Sequence, residues 1–343
     1  KHSDPAAQFR SQSTSIRTWV ERANVSMLRY KQWLKMPFED WGYGEALSPN
    51  CSPILDAHRL YIADGFTQDI EVGVDRLEAD FNMWRTILGH AKTLRIKMLA
   101  VDAMTDDVTI MSGLLARPDI DERFVARLAK IVHPLDQVEQ SVRWPMQSQF
   151  MMATKMLDRS LKQSVNDSQP LYVSIASLMP LPKQHRFNRY ADYYEASSKA
   201  ASEGRHGTMP KLSAYVRTPA DSSIDYLMNP IENIVGLESL PTWETYSLRV
   251  IQLDARLRLA GLQAWVRRGP QEYDLLTRMA KAGQTLYDPF TGLPMLVNPK
   301  KALLYSVGPD GKDDDAHPVL DVVAPIPSIF MAGGPDGKRN SSR

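Results

Sequence analysis

The chain has 343 residues, with 41 Lys and Arg against 40 Asp and Glu and a single cysteine. That length supplies one large or two medium domains, and the balanced charge leaves no long-range field to attract nucleic acid or an anionic membrane surface. The lone Cys51 excludes an intrachain disulfide and any multi-cysteine metal site, and no apolar run reaches the roughly 18 residues that span a bilayer.

Helical periodicity dominates the first half. Ile16, Val20, Ala23, Met27, Tyr30 and Leu34 alternate spacings of four and three, which predicts one amphipathic helix ending before Pro37. A loop over residues 36–53 follows, with Cys51 in it, and then a short helix over 54–62. Next comes the strongest pattern: Ile70, Val74, Leu77, Phe81, Trp84, Leu88, Ala91, Leu94, Met98 and Val101 hold a near-heptad seam, and Met104, Val108, Met111 and Leu115 keep its phase. Unbroken, this would be a helix of about 45 residues and roughly 70 Å. The polar run Asp102, Thr105, Asp106 and Asp107 is the place where a break is expected.

Residues 117–121 stop one helix and cap the next, whose inner face carries Phe124, Leu128, Ile131 and Leu135. His133-Pro134 and Trp144-Pro145 mark further boundaries. Met151, Met152 and Met156 in the following helical segment read as packing residues, with a hydrophobic ligand groove as the other reading. Between residues 165 and 230 prolines and glycines predict irregular structure, interrupted by a helix over 189–201 that carries Tyr190, Tyr193 and Tyr194. Residues 203–210 read as a mobile loop.

A helix over 246–268 is expected to bury Val250, Leu253, Leu257, Ala260 and Ala264, with Asp254 and Arg258 as a solvent-exposed pair on its other side. Gly269-Pro270 stops it, and a short helix over 271–281 leads to a β-like segment. The expected fold is therefore mainly α: an antiparallel helical body with a small C-terminal β-hairpin or short sheet. Its divisions are an N-terminal helix and loop packed on the body (1–53), the body (54–245), a helix plus C-terminal module (246–330) and a flexible tail (331–343).

The C-terminal residues Tyr287-Asp288-Pro289-Phe290-Thr291-Gly292-Leu293-Pro294 and Leu303-Leu304-Tyr305-Ser306-Val307-Gly308-Pro309-Asp310-Gly311-Lys312-Asp313-Asp314-Asp315 resemble the last segment of type II secretion pseudopilins. More closely, they resemble a family of membrane-anchored bacterial envelope proteins with no assigned activity. Further blocks that look like that family are Arg76-Leu77-Glu78-Ala79-Asp80-Phe81 with Trp84-Arg85, Lys97-Met98-Leu99-Ala100-Val101, Asn229-Pro230-Ile231 and the helix over 256–268. The resemblance implies a periplasmic helical body behind an N-terminal anchor, placed before Lys1, with envelope proteins and the inner membrane as partners. It also implies a calcium ion, for which Asp310, Asp313 and Asp315, with Asp314 beside them, offer hard oxygen ligands. The other reading is a turn with solvated carboxylates.

Among catalytic signals, the seven histidines show no two-histidine helical spacing of a zinc protease, and Glu203 and His206 lie among glycines that oppose a helix. Phosphate-loop, dinucleotide-binding and serine-hydrolase motifs are missing from the sequence. Gly236-Leu237-Glu238-Ser239 resembles the Glu-Ser element of lytic transglycosylases, which makes Glu238 a candidate general acid. The reading is thus a non-enzymatic, inner-membrane-anchored periplasmic protein acting in assembly or interaction. An apolar-ligand-binding helical module and a peptidoglycan lytic enzyme using Glu238 are the alternatives.

Overall fold

A computed structural model describes residues 4–43, 51–166, 180–203, 243–270 and 273–331. Helices dominate it, and a three-stranded antiparallel sheet lies near the C-terminus, as expected from the sequence. The Asn229 block, Glu238 and the tail beyond residue 331 lie outside the described residues.

The predicted N-terminal helix is three short ones: α1 (Pro5–Ser11), α2 (Ser13–Arg22) and α3 (Asn24–Trp33). A break at Ala23 divides the amphipathic stripe between α2 and α3, yet Ile16, Met27 and Tyr30 still point inward and are buried. Helix α4 (Ser52–Gln68) is longer than expected and starts at Cys51.

The seam residues from Val74 to Leu115 are all buried, on α5 (Ile70–His90), α6 (Leu94–Ala116) and the corner between them. The break falls at residues 91–93, however, and α6 runs straight through the acidic stretch. Capping explains this. The Thr93 side chain accepts from the Ile96 amide, and the buried Asp40 carboxylate accepts from the amides of Lys92 and Thr93 at 2.7 and 2.9 Å. A single carboxylate thus satisfies donors that a continuous helix would have used internally. The acidic residues of α6 find partners elsewhere: Asp102 pairs with Arg249, Asp106 with Arg59 at 2.7 Å, and Asp107 turns into the core.

Helices α7 (Glu122–Ile131), α8 (Gln137–Gln140), α9 (Arg143–Asn166) and α10 (Pro180–Glu203) follow. Met151 is exposed, so it is not the packing residue expected, and Met152 is half-buried. Tyr193 and Tyr194 are buried in edge-to-face contacts with each other and, through Tyr194, with Phe150 and Trp243.

Helix α11 (Trp243–Arg268) is the spine of the molecule. Val250, Leu253, Leu257, Ala260 and Ala264 face the main core as predicted, while Ala255, Leu259, Leu262 and Val266 face a second core. A helix apolar on two sides is one buried on two sides. The second core is closed by α12 (Leu275–Ala280) and by β1 (Leu296–Asn298), β2 (Leu303–Ser306) and β3 (Val322–Pro325), in the order β1-β2-β3. Asp254 and Arg258 are not the solvent-exposed pair expected. Asp254 is 1 % exposed, accepts from the Leu135 amide at 2.7 Å and meets the Arg258 guanidinium at 2.8 Å. Arg258 in turn donates to the Tyr287 carbonyl, so the pair ties α11 to both flanking segments.

Candidate metal centre in the helical core

The α4–α5 hairpin is unusually close. Asp69 caps α5 by accepting from the Val72 amide, and at Gly73 a Cβ would lie 2.3 Å from the Phe66 ring. Only glycine permits that approach. Two turns further along the same pair of helices, the spacing that Gly73 sets brings His58 on α4 against Asp80 on α5.

His58 Nδ1 lies 2.7 Å from Asp80 Oδ2. The second Asp80 oxygen accepts from the Tyr30 hydroxyl on α3, and that hydroxyl accepts from the Trp84 indole at 3.0 Å. Each Asp80 oxygen thus has one hydrogen-bond partner and keeps a further lone pair. On the far side of the imidazole, His58 Nε2 sits 3.9 Å from Asp107 Oδ1 on α6. His58, Asp80 and Asp107 are 1, 0 and 0 % exposed, and one ligand atom from each lies within 4.8 Å of the others. Both Asp107 carboxylate oxygens are buried with no hydrogen-bond partner.

Burial, first, and then the Asp80 charge push the Asp107 carboxyl well above its usual range. The same two causes push the Tyr30 phenol up. Among its neighbours, Asp80 is the group with which a protonated Asp107 would share a hydrogen bond. With Asp80 fixing Nδ1–H, the imidazole lone pair at Nε2 faces Asp107: the network orients a nitrogen ligand towards a carboxylate.

Sequence reasoning passed over this centre. His58 was one of seven scattered histidines, and Asp107 was read as a helix breaker. The signal was present nonetheless, because Asp80 and Asp107 each follow a seam residue, Leu77 and Met104, by three positions, which puts a carboxylate on a core face.

A second buried polar knot lies where α5, α6 and α8 meet. Arg85 grips Glu139 with two bonds of 2.6 and 2.8 Å and donates to the carbonyls of His133 and Pro134. Lys97, 1 % exposed, donates from Nζ to the carbonyls of Leu88 and Glu139 at 2.7 and 2.5 Å. Burial lowers the Lys97 ammonium to about 7. Its bonds reach the Leu88 carbonyl in the last turn of α5 and the Glu139 carbonyl in α8, helix ends where a cation is favoured.

The acidic C-terminal turn does not bring Asp310, Asp313 and Asp315 together as one ligand set. Asp310 accepts from its own turn at the Lys312 amide. Asp313 accepts from the Tyr305 hydroxyl and the Asp315 amide, and Asp315 is held by Asn298 at 2.7 Å and Lys301 at 3.0 Å. Two buried oxygens beside the turn have no hydrogen-bond partner, Asp314 Oδ2 and Asp321 Oδ1. Burial, together with the charges of Asp314 and Asp313, raises the Asp321 carboxyl.

Two open grooves lie among the described residues. One, of about 510 Å³, runs over the His58 region between the N-terminal helices and α4 and α6, lined by Phe9, Ile16, Trp19, Ile62 and Ile110 among others. The other, of about 780 Å³, lies between α9 and α10, with Met146, Phe150 and Tyr194 in its wall and Arg143, Glu195 and Lys199 around it. Among the described residues no helix is long and apolar enough to cross a membrane. No family model matches the chain, and neither the curated proteins nor the solved structures contain a significant match.

Proposed function

We propose that the chain is a non-enzymatic bacterial envelope protein, the periplasmic part of an inner-membrane-anchored molecule that works by assembly or protein interaction. One observation carries this reading. The motif residues that carry the resemblance to envelope proteins are used to build a surface module: buried Asp288 accepts from Ser306 and from the Val307 amide, while Leu293 and Val319 of the same module stand 63 and 79 % exposed. Large apolar side chains offered outward on a rigid base suit a protein contact. A photocrosslinker at Val319 in the full-length protein, expressed in its native cell, tests the reading. Capture of an envelope protein, lost on Leu293→Asp with the fold intact, is the expected result. Recovery of the protein in the cytosolic fraction, crosslinked to metabolic enzymes, sinks it.

In this reading calcium supports the same module. We assign the ion to the Asp314 and Asp321 oxygens that are buried without a hydrogen-bond partner beside this turn, since one oxygen of Asp310 and both of Asp315 are engaged elsewhere. Calorimetric titration checks it: no heat and no thermal shift with millimolar calcium removes the ion.

A second reading, an apolar-ligand-binding module, is favoured by the groove beneath α1 and α2, where Phe9, Ile16, Trp19, Leu60, Ile62 and Ile110 form an apolar wall beside Asp56, Arg59 and Asp106. Native mass spectrometry of the gently purified protein tests it. A co-purifying apolar molecule, displaced by Ile16→Trp, supports this reading; a clean polypeptide mass removes it.

A further inference from the structure

We propose that His58, Asp80 and Asp107 form a binding site for one divalent first-row transition metal ion, held where the three central helices α4, α5 and α6 meet. The argument starts from Asp107. An aspartate with no exposed surface and no partner for either oxygen is among the costlier arrangements a core can contain. A proton relieves the charge but leaves the carboxyl with one short-range outlet, Asp80. A divalent cation relieves it more completely, because it neutralises Asp80 and Asp107 together.

The geometry suits such an ion. The 3.9 Å between His58 Nε2 and Asp107 Oδ1 is a gap that two metal–ligand bonds of about 2.1 Å bridge at a wide angle. Tyr30 and Trp84 position Asp80, whose bond to His58 Nδ1 turns the other ring nitrogen, Nε2, towards Asp107, so Asp80 both orients the imidazole and supplies a carboxylate. One imidazole and two carboxylates suit manganese, iron or zinc; calcium would ask for six or more oxygens.

The groups facing Asp107 are Asp80 on α5, His58 on α4 and Tyr30 on α3, with Asp106 next to it on α6. None of them is a lysine or arginine. A cation placed there therefore meets two carboxylates and an imidazole with no competing positive side chain. This site is independent of the envelope reading and of the Asp314 and Asp321 oxygens.

Because the centre is sealed, the test loads it during folding. The full chain is unfolded in chelator, refolded with zinc or manganese alone, desalted and assayed for bound metal and melting temperature. The expected result is a single retained ion per chain and a melting temperature raised by several degrees. Asp107→Asn and His58→Gln should fold and lose both the ion and the thermal shift, whereas Asp321→Asn should keep them. If Asp107→Asn does not fold, Asp107→Leu, which removes the polar atoms at similar volume, makes the same comparison. Wild-type protein that retains neither metal, or a folded Asp107 variant that retains the ion as tightly as wild type, overturns the proposal.

Discussion

Asp288 and Val307, nineteen positions apart, are joined by a 3.0 Å hydrogen bond from the Val307 amide to Asp288 Oδ2. The other carboxylate oxygen accepts from the Ser306 hydroxyl at 3.0 Å and the Phe290 amide at 2.8 Å. One 2 % exposed side chain thus closes its own turn and holds that turn against β2. Asp288→Ala leaves the buried Val307 amide and the Ser306 hydroxyl proton without an acceptor, and should cost about 3 kcal/mol. Urea unfolding measures this. A change below about 1 kcal/mol would show that the clasp is incidental. Asp288→Asn, which keeps acceptance at one oxygen, should fall between the two.

Gly308 has φ +74°, and a Cβ there would meet the Leu320 carbonyl oxygen at 2.1 Å. That contact is with backbone, which cannot swing aside. Gly308→Ala should therefore destabilise by about 2 kcal/mol or more through strain, whereas Gly311→Ala, at φ +70° with nothing within 4 Å, should cost about 1 kcal/mol. Equal losses for the two would refute the steric argument.

The Asp288 and Gly308 motifs were legible as distinctive residues, but their roles were not, because the clasp links positions that only the sheet brings together. The same division runs through the molecule. The seam residues and the inner face of α11 were readable because burial has a local period. The break at residues 91–93 was misplaced because Asp40, half a hundred positions away, supplies the cap. Asp254 was read as solvated because an i,i+4 carboxylate–guanidinium pair looks the same inside as outside. Asp107 was read as a breaker because aspartate propensity carries no information about a histidine on another helix. Polar residues in a seam are decided by tertiary partners, and a single sequence does not name them.

Lys97 makes a prediction about pH. Its folded value, lowered from 10.5 to about 7, means that between those limits the unfolded chain binds more protons than the native one. Stability contributed by this site therefore rises with pH from about 7 to about 10.5, by up to about 1.4 kcal/mol per unit. Lys97→Met should remove that slope while leaving the Leu88 and Glu139 carbonyls without their donor, so it loses stability most at alkaline pH. Urea midpoints for both proteins at pH 7, 8 and 9 decide. Parallel curves would mean that Lys97 stays charged throughout.

Asp107 makes the opposite prediction for protein prepared without metal. Its carboxyl is raised in the folded state by burial and by Asp80, so over the window above the ordinary carboxylate value of about 4 the native state binds the extra proton. Stability contributed by Asp107 is then greatest below that value and falls as pH climbs through the folded one. Asp107→Asn, uncharged at every pH, should lose this decline and be more stable than wild type at pH 8. Saturating metal should abolish the difference by occupying Asp107 in the wild type alone. Midpoints measured from pH 5 to 8, with chelator and with zinc, separate the two causes. A chelated wild type whose stability is as flat as that of Asp107→Asn would show that the buried carboxyl finds a partner within the core at every pH.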